Sequence, residues 1–421
     1  MAEATIISKL TGLYREVYAD NIIRLVPDFA RIVKKAPFAK KRKIGKDYHQ
    51  PVVLADEQGF TYSNTGGAFE LNKSVSMETQ DAKIGASQIA VRYRIAMDAA
   101  SRAAEKGARA FRSATQLQYE NVMNSFGKRL ELALLYGETP LVDGFSAIDN
   151  TSATVTTLTV SAAEWSFMWA GMERAMFQFY DGNTLVSSGA DSHFQLTSVN
   201  MNTRELVFTG TATGTSALQA VSTPADLNVW FLGSKTQQMA GLYKIFTNTG
   251  TLFGINAADW ALWRTPNVDL NGEPLTFQAI VKSMVEPVGR GLTGNFTLYL
   301  SPDNWAKLAN DAAALRKIDD SYKSTQVDLG TQAIKYYYQG GAISIESHLF
   351  VKNSHCIGMP DGLMKRIGST EVTSANPKIK GATSDMFYML PDNMGFESRM
   401  YTDQALFFEQ PAKGLLITNF T

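Results

Sequence analysis

The longest periodic pattern of apolar residues lies in the first third of the chain, over residues 99–136. Apolar residues recur there every three or four positions, as they do on one face of an α-helix. The residues that define this face are Tyr119, Val122, Met123, Phe126, Leu130, Ala133 and Leu134. No proline interrupts the pattern and Gly137 follows it, which predicts a helix that ends there. At about 1.5 Å per residue, such a helix approaches about 50 Å in length.

Residues 88–95, just before this helix, alternate between apolar and more polar positions. The alternation predicts a strand with one buried face and one exposed face. Further upstream, residues 51–86 are rich in Gly, Ser, Thr and Asn, with a Gly66-Gly67 turn signal between weakly apolar flanks. A segment this long that buries little surface of its own is either a functional excursion or disordered. We expect an extended β-hairpin.

The segment before the hairpin is strongly basic. Residues 9–35 show short helical apolar patterns, broken at Pro27, that need a partner surface. Residues 31–46 contain no acidic residue and eight basic ones, namely Arg31, Lys34, Lys35, Lys40, Lys41, Arg42, Lys43 and Lys46. Two interpretations stay open: a solvated loop with surplus charge, or an arm that faces phosphates or an acidic partner. Phe38 is the one aromatic residue among them, so base stacking is not indicated.

The remaining two thirds of the chain mix helical and strand patterns. Residues 151–160 predict an exposed strand, and residues 161–164 (Ser-Ala-Ala-Glu) match a capping box. The capping box predicts a helix through Tyr180 with Trp165, Trp169 and Phe177 on its aromatic face. Residues 183–234 alternate like short strands separated by polar turns, which predicts a small inserted β unit. Beyond it we expect a helix over residues 303–315 and strands over residues 342–345 and 415–419.

Length and composition limit the classes of protein that fit. A chain of 421 residues is long enough for two or three cores. Forty basic residues balance 40 acidic ones, so any electrostatic role must come from local clusters. Cys356 is the single cysteine, which excludes an intrachain disulfide and favours a reducing cytoplasm. We expect a soluble intracellular protein, because the sequence shows neither a signal peptide nor an apolar run of about 20 residues.

The sequence offers little support for catalysis, a cofactor or a metal. Its four histidines form no pattern with zinc-ligand spacing, and no phosphate-binding loop or nucleophile elbow occurs. His355 and Cys356 are adjacent, but neighbours in a strand point to opposite faces and so make a poor nucleophile and base pair. Asp319 and Asp320 lie in a charge-balanced segment that is typical of a surface. We therefore expect no enzyme and no cofactor, although a carboxylate pair needs no motif.

These parts, in this order, resemble the major capsid proteins of tailed bacteriophages, which share the Hong Kong 97-type fold. Three segments add to the resemblance: residues 252–256 with Trp260, Trp263 and Arg264; residues 300–308; and residues 401–414. The resemblance implies an α+β fold with an N-terminal arm, an extended loop, a long spine helix, and peripheral and axial domains. The implied limits are 1–50 for the arm, 51–98 for the extended loop, 99–182 for the peripheral domain with the spine helix, 183–234 for the inserted β subdomain, 235–375 for the axial domain and 376–421 for C-terminal strands returning to the peripheral domain.

The resemblance also implies a function and partners. The expected protein is a non-enzymatic subunit that assembles into hexamers and pentamers of an icosahedral shell around double-stranded DNA. The eight cations of residues 31–46 would face inward, toward a separate scaffolding protein and then DNA. A portal protein and a decoration protein are further expected partners, with no membrane, in a virion assembled in the host cytoplasm. An encapsulin-type nanocompartment shell is the alternative, and a nucleic-acid-binding regulator or a metabolic enzyme are more distant ones.

Overall fold

The computed structural model describes residues 31–39, 45–64, 66–98, 114–316, 333–374, 388–390 and 393–421. We number helices and strands in chain order within these residues. The helices are α1 (Ile32–Lys35), α2 (Ala114–Tyr136), α3 (Ala212–Gln219), α4 (Leu242–Phe246), α5 (Phe277–Ser283), α6 (Val285–Gly289) and α7 (Pro302–Arg316). The predicted helix over residues 303–315 is thus confirmed by α7. In the described part of the chain, we find no helix that combines the length and the apolar character needed to cross a bilayer.

The long helix was predicted over residues 99–136. Helix α2 covers residues 114–136 of this range, and residues 99–113 lie outside the described residues. It ends at Tyr136, as predicted, because only glycine fits the next position. A Cβ on Gly137 would lie 2.1 Å from the carbonyl oxygen of Met239 and 2.4 Å from that of Ala133. The described 23 residues correspond to about 35 Å. The last turns are buried on all sides, whereas Met123, predicted on the buried face, is exposed.

The expected hairpin is formed by β1 (Tyr48–Ala55) and β2 (Glu78–Ile84), which pair antiparallel from Tyr48 opposite Ile84. Between them, residues 56–64 and 66–77 belong to an extended loop in which Gln58 and Val75 exchange two backbone hydrogen bonds of 2.9 Å. Strand β2 fixes the hairpin to the rest of the chain. Its Ala82 and Ile84 are fully buried, and Lys83 donates its backbone N–H to the Phe253 carbonyl at 2.8 Å.

Strand β3 (Ser87–Ala96) confirms the predicted alternation. Its residues Tyr93 and Ile95 are buried, whereas Arg92 and Arg94 on the other face are exposed. Strand β3 pairs over its whole length with part of the 14-residue strand β21. This sheet also contains β19 and β20. The bounds are Met364–Thr373 for β19, Tyr388–Met389 for β20 and Gly395–Phe408 for β21.

An eight-stranded sheet follows α2, with strand order β4-β11-β7-β9-β10-β6-β5 and β8 paired to β7. Its strands are β4 (Val142–Asp143), β5 (Phe145–Asp149), β6 (Val155–Val160), β7 (Met176–Asp181), β8 (Thr184–Leu185), β9 (Phe194–Asn200), β10 (Glu205–Thr209) and β11 (Leu227–Phe231). Aromatic side chains dominate its core, with Phe179 edge-on to both Phe194 and Phe208. The predicted domain limit between residues 182 and 183 falls inside this sheet, because β7 on one side pairs with β9 and β11 on the other.

The predicted helix over residues 161–180 is wrong. Ser161 Oγ does accept the Glu164 N–H at 3.3 Å, as a cap would. The Glu164 carboxylate, however, turns away and binds the Asp143 N–H and Lys352 instead. Residues 167–169 form one short 3₁₀ turn, and the fully buried Phe177 and Phe179 then alternate as strand residues in β7. The period of two carried by the aromatic residues outweighs the local cap.

A six-stranded mixed sheet forms the second core, in the order β14-β22-β18-β15-β17-β16. Its strands are β14 (Asn267–Asp269), β15 (Phe296–Leu300), β16 (Ala333–Tyr338), β17 (Gly341–Ser347), β18 (His355–Pro360) and β22 (Leu415–Thr418), while β12 (Thr251–Leu252) and β13 (Ile255–Asn256) pair separately. The predicted strands at 342–345 and 415–419 are confirmed. Strand β22 lies between β14 and β18, so this part of residues 376–421 joins the sheet of the expected axial segment instead of returning to the peripheral one. Fully buried Leu415 and Ile417 explain that central position.

Candidate assembly surfaces

The basic arm is fixed to the long helix by one buried carboxylate. Glu131, on α2, is fully buried. Its Oε1 accepts the backbone N–H groups of Arg31 at 2.9 Å and Ile32 at 2.6 Å, and its Oε2 accepts that of Val33 at 2.9 Å. These N–H groups belong to the start of α1, where the side chain of the N-cap residue Arg31 makes no capping hydrogen bond. Glu131 therefore acts as a cap supplied from a distant part of the sequence.

A buried histidine completes this anchor. Phe350 donates its N–H to His348 Nδ1 at 3.2 Å, which leaves Nε2 as the nitrogen that donates to Glu131 Oε1 at 3.0 Å. A buried carboxylate is stable only when its oxygens accept hydrogen bonds, and here four donors surround it. Ile32 and Ala36 of the arm are also fully buried. The arm, the long helix and the segment after β17 thus meet at one point.

The structure separates the eight predicted basic residues into three groups. Arg31 donates to the Ser347 carbonyl, and Lys35 donates to Thr297 Oγ1 at 2.9 Å and lies 3.4 Å from Glu346, so both serve contacts within the chain. Lys34 and Lys46 are exposed. Lys40, Lys41, Arg42 and Lys43 lie outside the described residues. An inward-facing contact of these cations with scaffold or DNA stays a prediction.

The extended loop carries a series of exposed apolar side chains, which we call the loop strip. Its members are Val53, Phe60, Tyr62, Phe69, Leu71, Val75 and Met77. Tyr62 is 90% exposed and Leu71 is 79% exposed, whereas large apolar side chains are normally covered. A concentration of such residues on one excursion is typical of a protein–protein contact.

The loop strip was not predicted from the sequence, because the prediction for residues 51–86 was based on their polar composition. A signal was available, since three apolar pairs in this segment are each two positions apart. They are Phe60 with Tyr62, Phe69 with Leu71, and Val75 with Met77. Spacing of two places each pair on the same side of an extended chain. Apolar pairs in a segment without a core of its own indicate a surface that another chain covers.

A second buried polar group joins the end of α2 to the segment before β18. Lys352 Nζ donates to Glu164 Oε2 at 2.6 Å, and the Lys352 N–H donates to Tyr136 Oη at 3.0 Å. Tyr136 Oη also lies 3.1 Å from His355 Nδ1, and the His355 ring stacks on Tyr243. Although burial opposes it, the Lys352 ammonium holds the pKa of Glu164 below its usual value. Burial lowers the pKa of His355 to about 3.

This group gives no support to nucleophilic chemistry. The imidazole of His355 is enclosed, and the thiol of Cys356 is fully buried in the other core, against the second sheet. Burial raises the pKa of that thiol well above its ordinary value, so it is a poor nucleophile. The predicted separation of the two side chains onto opposite faces of a strand is confirmed. Among the described residues, no cluster of three or more His, Cys, Asp or Glu side chains could hold a metal ion.

Two clefts flank the elements that carry these surfaces. One, of about 530 Å³, lies between β1 and the C-terminal segment, with Trp263, Arg290 and Lys413 in its wall. The other, of about 430 Å³, lies between β3, α2 and the end of β11, with Arg129 in its wall. The Arg129 guanidinium packs 3.1 Å from the centre of the Phe231 ring. Neither cleft contains a histidine or cysteine that could serve as a nucleophile or base.

Comparison with known proteins identifies the fold. No protein-family model and no curated protein matches the sequence. Among solved structures, a chain of the cyanophage A-1(L) capsid asymmetric unit is similar, with TM-score 0.58, 11% identity and 98% of each chain covered. A chain of the capsid of a native GTA particle is similar with TM-score 0.51, 8% identity and 100% of each chain covered.

These likenesses extend over essentially the whole chain, so they concern the complete arrangement of arm, hairpin, helix and sheets. The chain has the capsid-type fold of tailed phages. The resemblance predicted from the sequence is confirmed at the level of the fold. At 11% identity and below, the comparisons describe the fold and not the activity.

Proposed function

We propose that this chain is the structural subunit of a phage capsid, a non-enzymatic protein that self-assembles into the hexamers and pentamers of an icosahedral shell around double-stranded DNA. The observation that carries the proposal is the fold likeness to a cyanophage capsid chain over 98% of both chains. The loop strip supports it independently, because it is an apolar surface that is exposed in the described part of the chain. The proposed location is the virion, after assembly in the host cytoplasm.

The loop strip suggests how neighbouring subunits hold each other. In this proposal the extended loop lies on the next copy around a ring, which makes a heterologous contact that closes when the rotation permits. Burying a large apolar side chain contributes about 1.5–3 kcal/mol. Covering Phe60, Phe69 and Leu71 alone would then contribute several kcal/mol per neighbour. Because every subunit donates one loop and receives another, such contacts reinforce each other by multivalency.

The remaining partners follow from the same proposal. The cations of residues 31–46 that do not bind within the chain face inward, first toward a separate scaffolding protein and later toward packaged DNA. A portal protein occupies one vertex, and a decoration protein binds the outer surface. The anchor at Glu131 supports this arrangement, because it fixes where the arm leaves the body of the subunit.

Negative-stain electron microscopy of the purified protein, alone and with a scaffolding protein, tests the proposal. We expect closed shells, tubes or six-fold rings, and a uniform small oligomer under both conditions would reject it. Shells that enclose a protein cargo instead of nucleic acid would favour the encapsulin-type alternative.

A double variant tests the role of the loop strip in the same assay. We expect Phe69→Ser with Leu71→Ser to keep the circular dichroism spectrum and to lose the shells, because both side chains are exposed in the single chain. The matched control is Met201→Ser, which removes an exposed apolar side chain from the turn after β9. Shells from the double variant at the yield of the control would contradict the proposed loop contact.

A further inference from the structure

The exposed face of the β3–β21 pair carries an unusual arrangement of charges. The register places Arg92 directly opposite Arg399, and Arg94 directly opposite Glu397. Residues directly opposite each other in an antiparallel pair lie on the same face, with Cβ atoms about 5 Å apart. Arg92 and Arg94 are two positions apart on one strand, a separation of about 7 Å. We call Arg92, Arg94 and Arg399 the arginine patch.

One carboxylate binds two of the three arginines. Glu397 is only 3% exposed, and it accepts hydrogen bonds of 2.9 Å from Nε of Arg94 and from Nε of Arg399. These two hydrogen bonds lower the pKa of Glu397, so it stays ionised at neutral pH. Arg399 shares this carboxylate with Arg94, so positive charge is in excess where the register places Arg92 opposite Arg399. Like charges directly opposite in a sheet are destabilising, so the chain itself gives no reason to pair Arg92 with Arg399.

The three arginine side chains of the patch are partly or largely exposed. Arg94 is 50% exposed and Arg399 is 68% exposed. The Nη groups of Arg399 find no acceptor among the described residues, and its guanidinium lies 5.7 Å from the centre of the Tyr388 ring. Arg92 is exposed and forms no hydrogen bond or ion pair with any residue that the structure describes. The guanidinium groups of Arg92 and Arg399 thus lie side by side, and Arg92 and the Nη groups of Arg399 have no acceptor among the described residues.

We propose that the arginine patch binds the phosphate backbone of double-stranded DNA. Guanidinium forks match phosphate oxygens two at a time, which an ammonium group does not. A single carboxylate would supply an acceptor for one of these two arginines, Arg92 or Arg399, whereas duplex DNA presents one negative charge about every 3.4 Å along each strand. A polyanion therefore fits two neighbouring guanidinium groups better than a monoanion does. The contact reads charge and not base sequence, because it is made to phosphate oxygens, which carry no sequence information directly.

This site is distinct from the basic arm. Arg31 and Lys35 of the arm already bind acceptors of their own chain, whereas Arg92 and the Nη groups of Arg399 have no acceptor among the described residues. The choice of DNA as the polyanion rests on the proposed capsid function, but the existence of a phosphate site does not. The two can therefore fail separately.

The test measures binding of a 30-base-pair duplex to the full chain by fluorescence anisotropy, after assembled particles have been removed by centrifugation. Titrations between 50 and 200 mM NaCl give the slope of log K against log salt. Each phosphate contact contributes about 0.9 to that slope. We expect Arg92→Gln with Arg399→Gln to reduce its magnitude by about 1.8 (2 × 0.9) for two duplexes of unrelated sequence.

The control variant removes the same charge elsewhere. Lys282 on α5 and Lys307 on α7 are exposed, and Lys282→Gln with Lys307→Gln is expected to leave the slope unchanged. An unchanged slope in the arginine double variant, an equal fall in the control, or no measurable binding by the unmodified chain would each overturn the proposal. Electron microscopy of the arginine variant keeps the two proposals apart, because shell formation tests the capsid function whatever the DNA result.

Discussion

The anchor at Glu131 makes a testable claim about how the arm is held. Replacing Glu131 by alanine removes the acceptor for the N–H groups of Arg31, Ile32 and Val33, and for Nε2 of His348. All four donors lie at a site where the carboxylate itself is fully buried. The variant therefore leaves several donors unpaired in a region that water reaches poorly.

The size of the effect follows from these bonds. A hydrogen bond to a charged group contributes about 1.5–3 kcal/mol, and removing one partner of a buried charged contact costs about 3–5 kcal/mol. Some water enters the space left by the carboxylate, so we expect a loss of about 3 kcal/mol in the free energy that holds the arm down. Burial of Ile32 and Ala36 remains, so the arm loosens without detaching.

Hydrogen–deuterium exchange of the full chain is the appropriate assay. A loss of about 3 kcal/mol corresponds to roughly a hundredfold faster exchange, since each factor of ten is about 1.4 kcal/mol. We expect this acceleration at residues 31–36 in Glu131→Ala. Glu131→Gln should give a smaller effect, because its remaining oxygen can still accept from Arg31 and Ile32.

The control for this experiment is Glu273→Ala, which removes an exposed carboxylate far from the arm in sequence. It should leave exchange at residues 31–36 unchanged. Equal protection of that segment in Glu131→Ala and in the unmodified chain would refute the reasoning. The arm would then be held by its apolar contacts alone.

The second buried polar group gives two further predictions. Lys352→Met should lower the free energy of unfolding in urea by about 3–5 kcal/mol, because Glu164 loses its buried partner. The deficit should shrink as the pH falls and Glu164 protonates, since a neutral carboxyl group needs no cationic partner. A variant as stable as the unmodified chain at pH 7 would contradict this. Burial lowers the pKa of His355 to about 3, so below about pH 6.5 the unfolded chain binds a proton that the folded chain does not. The free energy of unfolding should therefore fall by about 1.4 kcal/mol per pH unit from pH 6.5 toward 3. In His355→Gln this part of the slope should vanish, and urea midpoints at pH 6.5, 5.5 and 4.5 would show whether it persists.

Elements with one buried face and a sharp local stop could be predicted from the sequence. Tyr93 and Ile95 alternate with exposed arginines, so their period identified β3 without knowledge of its partner. The end of α2 was predictable because the backbone approach at position 137 excludes any side chain. In both cases the local pattern and the tertiary contact favour the same structure, which is the condition under which sequence reasoning succeeds.

The sequence did not predict the anchor at Glu131, and it wrongly predicted a helix over residues 161–180. The reason is the same in both cases, because the residue that decides the local structure is distant in the chain. Ser161 and Glu164 satisfy the rule for a capping box, yet Glu164 is used by Lys352, 188 positions away. Glu131 binds the arm 98 to 100 positions away. A hint existed for Glu131, because it is the one charged residue in the otherwise apolar run of residues 130–136. A charge inside a buried pattern predicts a partner but not its identity.

The contacts within the chain also distinguish residues that have partners in the same chain from residues whose partners are expected in another molecule. Glu131, Glu164 and Lys352 are buried charges, and each has hydrogen-bond partners within the chain that account for its burial. The loop strip and the arginine patch are the opposite case. Exposed Leu71 has little cover from the described part of the chain, and the pairing of Arg92 with Arg399 places like charges side by side. We take features that the described residues do not stabilise as candidates for contact with another molecule. An apolar surface requires another apolar surface, and unpaired guanidinium groups require an anion. The proposed capsid function would provide both, as neighbouring subunits and as enclosed nucleic acid, so a shell that forms with the loop strip removed would undermine the proposed link between fold and function.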